Sequence, residues 1–208
     1  MSVEYEQNNK DRIPYEHYRE EFSKLDPIEA SKRCNIPYDQ QKQEFAFRLM
    51  YRELAVKFPS GEMFYADGTK VEAFNIQILL YRYLLEGRYC EAQGQPLTYR
   101  DIPWGEVYFR QFQGRCLIRL AYAFGFKLDK FSEVMEKLGA KKIEMGDMGY
   151  QFEFINNLFV SFIIWGGDEE FPPSTQILFE DNFPQAFTAE DIAVVGDISI
   201  GILKDMAK

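Results

Sequence analysis

The sequence predicts an α+β domain, with an antiparallel sheet that includes a C-terminal meander and several helices packed on it. Helical and strand-like apolar patterns occur in separate runs instead of strict alternation, which is the mark of this class. The strand-like runs are short and divided by Gly, Asn and Pro, as antiparallel turns require. At 208 residues, 46% of them hydrophobic and 16% aromatic, the chain can bury a core without disulfides or metal staples.

The elements follow in order. Pro14 at a first helical turn and the mixed run to Leu25 predict a short helix. Asp26 as cap and Pro27 at the first position restart one in "DPIEASKRCN", and Pro37 ends this preamble. Residues 1–40 are thus expected as a helical segment packed on an α+β domain of residues 41–208. Phe45, Phe47, Leu49 and Tyr51 alternate with other residues, and Pro59-Ser60-Gly61 and Ala66-Asp67-Gly68 supply turns, so two or three antiparallel strands are expected there. Phe74, Ile78, Tyr81 and Leu85 have helical spacing, and Gly87 stands at a helix end.

Residues 93–107 mix Gly, Pro, Asp and Trp without a period and read as a structured loop, with one short strand near Leu97 to Arg100. Two helical stripes follow: Phe112, Cys116, Leu120 and Phe124, then Phe131, Val134, Met135 and Leu138, ending at Gly125 and Gly139. "KKIEM", "YQFEF", "LFVSFIIW" and "TQILFE" form the meander. Thr188 with Asp191 three residues on opens a last helix whose stripe is Ile192, Val195, Ile198 and Ile202.

Composition removes several functions. Cys34, Cys90 and Cys116 are far apart and never form a C-x-x-C pair, so reduced thiols are expected and no zinc or iron–sulfur motif is present. His17 is the single histidine, which excludes metal centres that need two imidazoles and reads as a surface residue. The nucleotide-binding loops and the G-x-S-x-G elbow are also missing. No run of 18 apolar residues and no signal-peptide order occurs at the start, so a soluble, cytoplasmic protein without membrane contact is expected.

The net charge of −9 argues against nucleic acid as a partner. Its distribution is uneven: from Ile143 to Leu203 there is no Lys or Arg but there are eleven acids, while the remaining residues hold 22 acids and 24 bases.

Two groups of residues are candidates for chemistry. Asp168, Glu169 and Glu170, between Gly166-Gly167 and Pro172-Pro173, could supply oxygen ligands to a divalent metal. A strand connection is the alternative, with the glycines at positive φ and the prolines as an extended exit. Arg100, Arg110, Arg115 and Arg119 are interleaved with Tyr99, Trp104, Tyr108 and Phe109. Guanidinium forks beside rings suit a bulky anionic or planar ligand, or a partner protein's carboxylates. The same arginines could instead neutralise the base-free third of the chain. The rings, Phe112 and Trp165 included, could equally be core.

The segments "TYRDIPWGEVYFRQFQGR", "GDMGYQFEF", "WGGDEEFPPSTQILFEDN" and "TAEDIAVVGD" resemble, in the same order, those of the domain of unknown function family numbered 3786, from about Phe45 to the C-terminus. The resemblance implies no established activity and no agreed catalytic residues. Some relatives carry an N-terminal four-cysteine iron–sulfur segment similar to that of corrinoid proteins, which implies a link to corrinoid or one-carbon metabolism. Here the first 40 residues hold only Cys34, so no cluster carries over. The expectation is a binding or accessory module using the Arg-aromatic segment, leaning away from an enzyme. The alternatives are a hydrolase-like metal enzyme using the acidic loop and an assembly protein without ligand.

Overall fold

The computed structural model describes the backbone of residues 2–208 and the side chains of residues 11–208. Its fold class is α+β, and every strand pairing described below is antiparallel. Two compact units can be distinguished, one comprising the chain up to Cys90 with Gln185–Phe187, the other Glu91–Pro184 with Thr188–Lys208.

The first unit opens with helices α1 (Ser2–Phe22) and α2 (Pro27–Cys34). Pro14 lies inside α1 and not at its start; a proline removes one ladder bond and can bend a helix without ending it. The Asp26 carboxylate caps α2 by accepting from the amides of Ile28 at 2.8 Å and Glu29 at 3.1 Å. Strands β1 (Tyr38–Asp39), β2 (Glu44–Leu49), β3 (Arg52–Lys57) and β4 (Met63–Tyr65) pair in chain order. Phe45, Phe47 and Leu49 of β2 are buried while Ala46 and Arg48 are exposed, the period-two pattern of a sheet with one covered face. Tyr51 breaks it, because Met50 at φ 52° turns the chain and leaves Tyr51 exposed.

Helix α3 (Phe74–Glu86) buries Leu80, Tyr81, Tyr83 and Leu84 completely. Two of its tyrosines also keep their hydroxyls satisfied: Tyr81 donates to the Gly61 carbonyl at 2.6 Å and Tyr83 to that of Cys34 at 2.9 Å. Gly87 after α3 has an extended φ of −71°, so it is not a left-handed cap. A side chain there would run into the Tyr83 ring and the Ala186 carbonyl, and close approach is what requires glycine.

The second unit begins with β5 (Leu97–Thr98) and a 3-10 turn, Tyr99–Asp101. A continuous helical run follows, made of α4 (Gly105–Phe112), a π-helical turn (Gln113–Ile118) and α5 (Arg119–Phe124). The run starts seven residues before Phe112, inside the segment expected as loop, because Gly105 lets α4 pack on the Tyr99 carbonyl where a Cβ would collide. Helix α6 (Leu128–Lys137), β6 (Lys141–Ile143), β7 (Met148–Ile155), β8 (Leu158–Trp165), β9 (Ser174–Phe179), the single turn α7 (Phe183–Ala186) and α8 (Ala189–Met206) complete the chain.

The strands pair in the order β6-β7-β8-β9-β5. Asn156 and Asn157, both at positive φ, make the β7–β8 hairpin, since Asn tolerates the left-handed region such turns need. The Thr188 hydroxyl donates to the Asp191 carboxylate at 2.6 Å and accepts the Asp191 amide at 3.4 Å, starting α8. Ile192, Val195 and Ile198 are buried and Ile202 is half-buried; each buried side chain contributes about 1.5–3 kcal/mol. Among the described residues no helix is long and apolar enough to cross a membrane.

Candidate functional site

The helical run from Gly105 to Phe124 has one buried side and one exposed side. Phe112, Cys116, Leu120, Ala121 and Phe124 are buried, with Cys116 donating to the Ala193 carbonyl on α8 at 3.4 Å. Gly196 of α8 gives the room, because a Cβ there would lie 2.8 Å from the Cys116 sulfur. Burial pushes the Cys116 thiol up to about 12, so it is an inert packing group.

On the other side, Val107, Ile118 and Tyr122 are 67%, 47% and 72% exposed. Val107, Arg110, Gly114, Ile118 and Tyr122 succeed one another at steps of three, four, four and four residues, which keeps them in register along the solvent side where the π turn widens the helix. Trp104 stands ahead of them at φ 66° with 76% exposure, and makes no side-chain cap to α4. Left-handed backbone costs a non-glycine residue roughly 1–2 kcal/mol. The indole is not packed into the core to repay that cost.

The four arginines divide by role. Arg115 and Arg119 both reach Asp197 on α8, the first at 3.3 Å and the second in an ion pair that also includes a bond to the Asp197 carbonyl. Arg100 lies 3.8 Å over the Phe109 ring and pairs with Glu106 at 3.2 Å. Arg110 is exposed and its side chain has no ion pair or hydrogen bond among the described residues. Tyr99 is 1% exposed, stacked on Phe112 with ring centres 3.9 Å apart, and donates to the Ala189 carbonyl at 2.7 Å. Its ring supports the run from beneath, and its phenol is pushed up to about 12 by burial.

The acidic loop packs against the far end of the same run. The Gly167 amide donates to the Gly125 carbonyl at 3.0 Å, and Pro173 occupies the space a Gly125 side chain would need. Neither Gly166 nor Gly167 has a positive φ. Close contact requires glycine at Gly167, where an added Cβ would lie 2.6 Å from both Phe126 and Pro173, while at Gly166 Leu128 stands 3.1 Å from such an atom.

Asp168 folds the loop tip: its Oδ1 accepts from the amides of Phe171 at 2.7 Å and Glu170 at 2.8 Å, and these amides hold its carboxyl below the ordinary range. Asp147 braces the entry through the Gly166 amide at 2.8 Å. Glu169 and Glu170 are exposed. Among the described residues no group of three His, Cys, Asp or Glu side chains is placed to hold a metal ion.

The structure thus adds residues that sequence reasoning passed over: Val107, Ile118 and Tyr122, with Phe126 (58% exposed) and Phe171 (66%) at the loop end. The signal was present in the four-residue spacing of Ile118, Tyr122 and Phe126, opposite the buried stripe, but one extra residue in the π turn hides its continuation to Val107.

No curated protein and no solved structure matches the chain. A family model does match, over residues 26–201, so the resemblance extends back through α2 to the Asp26 cap. The chain belongs to the family described as Domain of unknown function (DUF3786).

Proposed function

We propose that this protein is a binding or accessory module whose contact surface is the exposed side of the run from Trp104 to Tyr122, extended by Phe126 and Phe171. The single observation that carries the reading is Trp104, a large ring in strained left-handed backbone with three-quarters of its surface in water. Strain of that kind persists where function needs it. Trp, Tyr and Arg are also the residues most enriched where protein partners meet.

The side chains stand along the outside of a helix, which suits another protein's surface better than a small molecule. Arg110, without an internal partner, and the half-exposed Arg115 would meet carboxylates of that partner. Arg119 positions the run through Asp197 and contributes no contact in this reading.

The test uses Trp104→Gly combined with Tyr122→Ser, and Ile13→Ser as a control at another exposed apolar residue. Tagged protein would be recovered from its native cells after cross-linking, and its companions compared quantitatively. Loss of the same companion from the double variant alone supports the surface. Companions unchanged in all three would refute it. Trp104→Gly by itself should leave stability unchanged or raise it by up to about 1 kcal/mol, because glycine accepts positive φ without strain.

A further inference from the structure

In the first unit an open groove of about 450 Å³ is lined by Glu29, Lys32, Arg33, Arg88 and Tyr89. Its volume lies within the roughly 300–1,000 Å³ range of small-ligand sites. Three of its five lining residues are cations and one is a carboxylate, in a chain whose net charge is −9. The cations are not equivalent. Arg33 is committed: its guanidinium donates to the carbonyls of Gly87 and, at 2.7 Å, Leu84, and its Nε to Glu29 at 3.3 Å.

Those bonds satisfy the carbonyls at the end of α3 and fix the groove floor. The wall is fixed as well, by the Tyr89 amide on the Arg33 carbonyl at 3.0 Å and the Arg88 amide on the Gln185 carbonyl at 2.9 Å. Lys32 and the Arg88 side chain have neither an ion pair nor a hydrogen bond among the described residues. The one carboxylate present is already turned to Arg33. Two free cations therefore border a hollow with a rigid backbone and a half-buried tyrosine ring in its lining.

We propose that this groove binds a small multivalent anion, with Lys32 as a point charge and Arg88 as a forked donor to its oxygens. The chemistry is shared by two sources, a phosphorylated metabolite and a polycarboxylate, so inorganic pyrophosphate and citrate serve as separate probes in calorimetric titration. One molecule of at least one probe should bind per chain, more weakly as salt is added. Pyrophosphate alone would identify phosphate chemistry, and citrate alone carboxylate chemistry.

Hydrogen bonds to charged groups are worth about 1.5–3 kcal/mol, so Lys32→Ala with Arg88→Ala should weaken binding at least about tenfold. Both residues are exposed, and thermal unfolding would check that the variant is folded. Glu29→Gln provides the opposite sign: losing a negative charge from the lining should tighten binding several-fold, which a merely structural role would not do. Absence of binding by both probes, affinity unchanged in the double variant, or weaker binding in Glu29→Gln would overturn the proposal.

Discussion

At the scale of single residues, Cys116 and Gly196 show how the exposed side of the helical run depends on its buried side. The sulfur fills the space that glycine leaves on α8. Gly196→Ala should destabilise the fold by roughly 1–3 kcal/mol through overpacking, despite the better helix propensity of alanine. Cys116→Ala leaves a small void of its own, and in combination the two changes should cost less than the sum of their separate effects. Chemical denaturation of the four proteins closes that cycle, and strict additivity would mean the two atoms do not compete for one space. Such pairs are invisible in the sequence: Cys116 reads there only as one more apolar position, and Gly196 as an unexplained weakness inside a helix. Tyr99 carries the same lesson. It stands among candidate contact residues by neighbourhood, and only the Phe112 ring and the Ala189 carbonyl reveal that it faces inward.

At the scale of elements, the acidic loop is held by backbone amides and by Phe126 and Pro173 packed on its glycines. A cation held there at about 100 times its dissociation constant would add about 2.7 kcal/mol. The prediction is that calcium and magnesium leave the unfolding midpoint alike in the wild type and in the Asp168→Asn, Glu169→Gln, Glu170→Gln variant; a cation-dependent rise confined to the wild type would make the loop a metal site. The Asp168 carboxyl is held low by amide donors, so its contribution is present above about pH 4 and lost as pH falls through the depressed value. The α+β class, the β7–β8 hairpin and the Thr188 cap were all legible, because period and turn chemistry are local. Pro14 inside α1 and the early start of α4 were not. In the second case the deciding contact, the Tyr99 carbonyl beneath Gly105, is a steric one that composition does not report.

At the scale of the whole molecule, burial has been spent on groups that must stay protonated. Desolvation pushes Cys34 up to about 11 and Cys116 and Tyr99 to about 12, and raises Tyr81 and Tyr83 further. Each of these groups ionises more readily in the unfolded chain. Their stabilisation is complete below about pH 9 and is lost as pH climbs through the raised folded values. Denaturation midpoints should therefore fall steeply between about pH 9 and 12, and a flat profile across that window would contradict the burial described. The arginines explain the charge asymmetry only in part: Arg115 and Arg119 answer Asp197, while Glu169 and Glu170 remain in solvent. Trp104 and Trp165, the molecule's two indoles, are 76% and 41% exposed. In most proteins tryptophan emission follows the opening of a core. Here both emitters begin in contact with water, so denaturation should change the colour of the fluorescence little, whereas a partner that covered Trp104 would turn it bluer and shield it from dissolved quenchers.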